Sequence, residues 1–141
     1  MSSKHQTVLA FDFGSKRIGV AVGQTVTSSA TPLETLMSRN NQPDWAAITR
    51  LITTWQPDGL IIGLPLNMDG SEQEMTLAAR RFSQRLHGRY HLPVYLVDER
   101  LTSVAAHERL THQHRSKRSR QGKTTVDKIA AQLILETWLT G

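Results

Sequence analysis

Leu9-Ala10-Phe11-Asp12-Phe13-Gly14-Ser15-Lys16-Arg17-Ile18-Gly19-Val20-Ala21-Val22 is the stretch on which the reading of this chain turns. It predicts two strands joined by a tight turn. Val8 to Phe13 is almost continuously apolar, the pattern of a strand covered on both faces. Gly14 and Gly19 flank a short basic turn and are expected to lend it backbone freedom. A second β-rich run then leads away from Ile18. Asp12 breaks the first run. A carboxylate between Phe11 and Phe13 is costly unless a cation or hydrogen-bond donor meets it, so the reading works outward from what faces Asp12.

The totals narrow the classes. A chain of 141 residues with 38% hydrophobic and 21% charged residues fits one globular domain spanning 1–141, with a real core. It holds no cysteine, which removes disulfide scaffolds, thiolate metal sites and cysteine nucleophiles. That usage suits a reducing, cytoplasmic setting. No apolar run is long enough for a membrane span, so no membrane partner is expected. The net charge of +5 favours an anionic partner, nucleic acid above all; a generally basic surface is the plainer alternative.

Along the chain, strands are expected at about Val8–Phe13, Ile18–Thr25 and Ala30–Met37, with Pro32 confining the third to a sheet edge. A helix starts at Pro43 or Asp44 and runs to about Thr54, facing the core with Trp45, Ile48, Ile52 and Trp55. Leu60–Ile62 is a short buried strand. Ser71 with Glu74 forms a capping-box pattern for a helix that should stop near His87, with Gly88 ending it. Val94–Val97 is another strand. Weaker helical periodicity covers Thr102–Thr111. The last helix, about Thr125–Leu139, carries Val126, Ile129, Ala130, Leu133, Ile134 and Trp138 on its core face. The order β-β-β-α-β-α-β-α-α argues an α/β fold: a mixed five-stranded sheet, an antiparallel meander followed by parallel strands, flanked by helices.

Three acids stand where an acid is expensive. Asp12 ends the first strand, Glu99 follows the last, and Asp127 lies in the first turn of the last helix. Ligands of parallel sheets gather at the carboxyl ends of strands. If the three converge there, they repel one another unless a cation joins them. The fitting ion is Mg²⁺, or Mn²⁺ in its place, and a pair of such ions can activate water and stabilise the leaving oxygen of a phosphodiester. Each acid also has a purely structural reading. Asp12 could cap the turn at Gly14, Glu99 could pair with Arg100 or Arg17, and Asp98 competes with Glu99 because adjacent strand residues face opposite ways. Asp127 could simply suit a helix N-terminus.

His112 to Lys123 is a basic run without an apolar residue. It reads either as a solvated loop or as a phosphate-gripping segment, through Arg115, Lys117, Arg118, Arg120 and Lys123. Lys16 and Arg17 beside Asp12, and Arg100 beside Glu99, extend the candidate nucleic-acid surface. Asp12-Phe13-Gly14 matches the kinase metal tripeptide, but no other kinase motif accompanies it. His87 and His91 stand at i,i+4 without a suitable third ligand and read as surface residues.

Four stretches together resemble the YqgF (RuvX-like) family of pre-16S rRNA nucleases. These are Leu9–Ala21, Gly63-Leu64-Pro65-Leu66-Asn67-Met68-Asp69-Gly70-Ser71, Asp98-Glu99-Arg100-Leu101-Thr102-Ser103 and Lys123–Ala131, in the family's order. The resemblance implies a ribonuclease-H-like fold related to Holliday-junction resolvases. It implies Asp12, Glu99 and Asp127 as the catalytic, metal-binding acids, and so Glu99 over Asp98. Asn67 in the second motif is a candidate substrate contact. The implied activity is a cytoplasmic, Mg²⁺-dependent nuclease maturing the 5′ end of pre-16S rRNA in ribosome biogenesis. Its partner would be RNA or branched DNA, with an assembling ribosomal particle as a further one, and the chain a monomer or homodimer. The alternatives are a four-way DNA junction resolvase, which favours a dimer, and a non-catalytic RNA-binding assembly factor. An actin-like or sugar-kinase ATPase shares the Asp-x-Gly turn but requires two lobes.

Overall fold

The computed structural model describes residues 6–40, 42–101 and 120–140, the last of these with its side chains from 126 onward. Five strands form one sheet: β1 (Thr7–Phe13), β2 (Arg17–Gln24), β3 (Ser29–Met37), β4 (Gly59–Leu64) and β5 (Val94–Asp98). Their order across the sheet is β3-β2-β1-β4-β5. β1 pairs antiparallel with β2, and β2 with β3; β1 pairs parallel with β4, and β4 with β5. The expected meander and parallel half are therefore both present. Helices α1 (Trp45–Trp55), α2 (Glu74–Tyr90) and α3 (Arg120–Thr140) complete the described elements, with a short 3₁₀ turn at Glu99–Leu101. The helix expected at Thr102–Thr111 lies outside the described residues. Among the described residues no helix is long and apolar enough to cross a membrane.

β1 is the centre of the sheet, and its alternation builds two cores. Leu9 and Phe11 face α1 and α2, packing with Ile18, Val20, Ile48, Leu51, Ile62, Ala79, Phe82 and Leu86. Val8 and Ala10 face α3, packing with Ala21, Ile61, Val97, Ala131, Ile134 and Leu135. Burial on both sides is why the strand reads as an apolar run rather than an alternation. Phe11 is fully buried and meets the edge of Phe82 at 5.8 Å between ring centroids. Such a pair adds about 1 kcal/mol beyond the area it buries.

Local chemistry sets the helix ends. Asp44 caps α1, accepting from the Ala47 N–H at 3.1 Å, and Gln56 ends it in the left-handed region just before Pro57. On the core side of α1, Ile48 and Leu51 are buried while Trp55 is 36% exposed. Leu51 thus takes the place expected for Trp55. α2 departs from expectation at both ends. Ser71 does not cap it, because its hydroxyl is engaged within the preceding loop, bonded to Asp69 Oδ1 and to Asn67 Nδ2. The helix starts after Gln73, whose N–H donates to Thr76 Oγ1 at 3.1 Å. At the other end α2 runs through Gly88 to Tyr90 and stops at His91, φ 56°. Tyr90 holds the extra turn, packing against the core and bonding Thr49 Oγ1 through its hydroxyl at 2.8 Å. Pro32 lies on edge strand β3, as its missing N–H demands, and the β2–β3 register shifts beside it, at Val20/Ala21.

Gly19 lies inside β2, and neither it nor Gly14 has a left-handed φ. The expectation of a flexible turn glycine fails at Gly19 for a packing reason. A Cβ there would stand 1.9 Å from the Asp127 carbonyl oxygen, so glycine is what lets α3 lie on the sheet. We predict that Gly19→Ala costs about 3 kcal/mol by forcing helix and strand apart. Gly88→Ala, where an added Cβ meets nothing within 4 Å, should instead gain about 0.5–1 kcal/mol as a helix-interior replacement. Urea denaturation followed by circular dichroism measures both.

Candidate active site

The sheet's carboxyl end is built around Asp12. Asp12 follows Ala10 on the α3 face of β1 and pairs across with Gly19 of β2. On its other side Phe11 pairs with Ile62 of β4, so the next position along β4 is Gly63. Asp12 is thus flanked by a glycine on each neighbouring strand. Both vacant Cβ positions are filled from elsewhere. The backbone of Asp127 lies against Gly19, and at Gly63 a Cβ would stand 2.5 Å from Ile134 Cδ1 and 2.7 Å from Glu99 Oε2. The chain's first, third and fourth motifs therefore meet at one end of the sheet, with Asp12 between the other two acids.

The electrostatics match this crowding. Burial, then the charge of Glu99, then that of Asp127 push the Asp12 carboxyl well above its ordinary range. Glu99 is raised in the same sense, first by burial and then by Asp98. Arg17 balances part of the negative charge: its Nε donates to Asp127 Oδ2 at 2.6 Å. Among the described residues no three acids or histidines stand at a spacing that holds one ion between them. The three carboxylates are close enough to repel but not drawn to a common point. The donor set is nonetheless the one a hard cation takes: carboxylate oxygens, two of them held against their charged form by burial and by neighbouring acids.

Asp98 is separated from this group. Arg100 grips it with Nε at 3.1 Å from both carboxylate oxygens and Nη2 at 2.7 Å from Oδ2. These bonds hold Asp98 below the usual carboxylate range. Arg100 Nη1 also donates to the Met68 carbonyl at 3.2 Å, tying the turn after β5 to the loop after β4. Arg100, expected on the nucleic-acid surface, is thus engaged in that tie. Asn67, expected as a substrate contact, bonds Ser71 through both backbone and side chain. Lys16 is exposed at the β1–β2 turn, where its carbonyl accepts from Ser38 N–H at 2.9 Å. Arg115, Lys117 and Arg118 lie outside the described residues, and Arg120 and Lys123 belong to the first turns of α3. His87 and His91 are exposed.

A basic feature absent from the sequence reading lies on α2. Arg81, Arg85 and Arg89 recur at i, i+4 and i+8, which puts them on one exposed stripe. Arg85 and Arg89 lie over the Trp45 ring, 5.0 and 4.0 Å from its centroid. The stripe was visible in the sequence as that spacing.

An antiparallel meander feeding parallel strands, with helices on both faces and acids at the carboxyl ends, defines a ribonuclease-H-like α/β protein. Solved structures agree on the fold. The chain is similar to T. thermophilus RuvC in complex with a Holliday junction substrate, at TM-score 0.57 and 16% identity over 94% of this chain and 92% of that one. A second Thermus thermophilus RuvC structure gives 0.55 and 15%, over 91% and 92%. The chain belongs to the RuvX family, whose model, described as Holliday junction resolvase, matches residues 6–141. Relatives named "putative pre-16S rRNA nuclease" include one from Nitrosococcus oceani, 59% identical over 98% of this chain and 89% of its own length. Others come from Dechloromonas aromatica, at 51% over 94% and 89%, and from an Escherichia coli O7:K1 strain, at 50% over 94% and 94%.

The raised carboxyls bear on stability. In the unfolded chain an Asp ionises near pH 3.9. Folded Asp12 keeps its proton to higher pH, so the folded state binds more protons between those two points and stability falls as pH rises through them. We predict that Asp12→Asn raises the Tm of the metal-free protein, with a gain that is absent below about pH 4 and grows as pH rises. Thermal melts in EDTA across pH 4–8 read it directly.

Proposed function

We propose that this chain is a metal-dependent nuclease that hydrolyses phosphodiesters in structured RNA, with the 5′ region of pre-16S rRNA as its substrate in ribosome biogenesis. The observation that carries this reading is the gathering of Glu99 and Asp127 around Asp12 over Gly63 and Gly19. Phosphodiester hydrolysis gives three acids at one strand end a common use.

Asp12, Glu99 and Asp127 would hold Mg²⁺ or Mn²⁺. When bound, the ion supplies charge neutralisation at the phosphate and acidifies the attacking water. The chain's own residues do the rest. Asp12, between the two other acids at the end of a rigid strand, would fix the position of the ion that meets the attacked phosphate. Arg17 holds Asp127 through its Nε and would be free to meet a phosphate if Asp127 held the ion instead. Lys16 and the basic segment 112–123 would position the backbone without reading its sequence. The names of the relatives support the RNA substrate. The family's description supports a second reading, resolution of four-way DNA junctions.

The test is cleavage of a precursor fragment spanning the mature 5′ end, beside a four-way DNA junction at matched salt, with Mg²⁺ or Mn²⁺. We predict metal-dependent cuts in the RNA, reduced at least about 10²-fold by Asp12→Asn or Glu99→Gln, with RNA binding retained. Cleavage at the wild-type rate by the purified Asp12→Asn protein would overturn the assignment of Asp12. Cuts confined to the junction would establish the second reading.

A further inference from the structure

β1 carries a second feature one residue after Asp12. Phe13 turns to the opposite face of the sheet and forms one wall of a pocket of about 500 Å³. The pocket lies between the β1–β2 turn, the approach to α1 and the face of α2 from Glu74 to Arg85. Its apolar wall is Phe13, Met75 and Phe82; Phe13 and Phe82 lie 4.8 Å apart at 31°. Its polar lining includes Ser15, Ser38, Gln42, Arg81 and Arg85. Glu74 is the single acid of the lining, against two arginines.

The two arginines differ in how they are held. Arg85 is oriented, stacked 5.0 Å from the Trp45 centroid and donating from Nη2 to Gln42 Oε1 at 2.9 Å. That uses one of five N–H donors and leaves the rest of the fork available. Arg81 is exposed and has no ion-pair partner among the described residues. A flat aromatic wall, neutral hydroxyl and amide groups, and two guanidiniums form the set that takes a base, a sugar and a phosphate.

We propose that this pocket receives one unpaired nucleotide of the substrate strand, next to the phosphodiester held at Asp12. The base lies along Phe13 and Met75, and its phosphate meets Arg81 and Arg85. The strand crosses the carboxyl edge of the sheet, so that consecutive residues of β1 serve consecutive parts of the nucleic acid. This assignment rests on the nuclease reading and adds to it a requirement for a single-stranded flank.

The experiment compares two fluorescein-labelled RNA hairpins, one blunt and one with a three-nucleotide single-stranded tail, by anisotropy over a salt series. Binding is measured in the Asp12→Asn protein, with and without Arg81→Ala/Arg85→Ala. The tailed hairpin should lose at least about tenfold in affinity, with a salt slope shallower by about one to two, while the blunt hairpin loses far less. Arg81→Ala alone, which leaves the stack on Trp45 untouched, should move the same way. Tails of deoxyribose run in parallel, and a loss with either sugar supports the pocket and tells which it takes. Unchanged affinity, or an equal loss on both hairpins, overturns it. Failure of the nuclease reading shows separately, as no cleavage of any substrate by the wild-type chain with Mn²⁺, and leaves these binding ratios readable.

Discussion

Like-charge repulsion at the end of β1 is the constraint to which the rest of the molecule answers. A carboxylate at the edge of a two-sided core loses hydration, and two more acids beside it raise the cost of ionising it. A sheet selected for stability alone would place a β-branched residue there. Instead the neighbouring strands carry Gly19 and Gly63, whose missing side chains let the α3 backbone and the Glu99 side chain close in. Stability is given up at three positions together, and the compensation lies in the apolar layers on either side of Leu9, Ala10 and Phe11.

Arg17 shows how the chain tolerates that arrangement without a cation. Its guanidinium bonds Asp127, so part of the local negative charge is matched from within the fold. Asp98 is likewise matched by Arg100. One of the two ion pairs joins the first residue of β2 to α3, and the other closes the end of β5. Asp12 and Glu99 are the two acids whose carboxyls remain raised, each by burial first and by a neighbouring acid second. Carboxyls raised by burial and by like charge at the end of a parallel strand are the pattern of a site rather than of a structural ion pair.

Much of this was legible in the sequence, and the parts that were not share a cause. The order of elements along the chain followed from apolar runs and turn residues because those signals are local. Asp44 announced its helix for the same reason. Asp12, Glu99 and Asp127 stood out because an acid beside apolar residues is costly wherever the chain goes, and the family resemblance then chose Glu99 over Asp98. Gly19 was misread because its partner, the Asp127 carbonyl, is remote in sequence and a close backbone approach leaves no local trace. Gly88 looked like a helix stop, but the packing of Tyr90 outweighs one glycine's propensity. Ser71 looked like a cap, but Asp69 and Asn67 had first claim on its hydroxyl. The Arg81-Arg85-Arg89 stripe was on the page as a spacing, and only the pocket beside it distinguishes it from an ordinary solvated face.

The register of β1 ties these observations together. Because side chains alternate, a slip of one residue would carry Asp12 into the cluster of Phe82 and Trp45 and carry Phe13 onto the face of Glu99. The same slip would put Phe11 or Phe13 opposite Gly19, on the face against which α3 packs. Each error is expensive by itself, and all of them occur together, so a single register satisfies the aromatic cluster, the helix contact and the acidic end. The feature that makes β1 costly as a strand, one carboxylate among phenylalanines, therefore also fixes its alignment. In this chain the proposed chemistry and the specification of the fold depend on the same alternation of Phe11, Asp12 and Phe13.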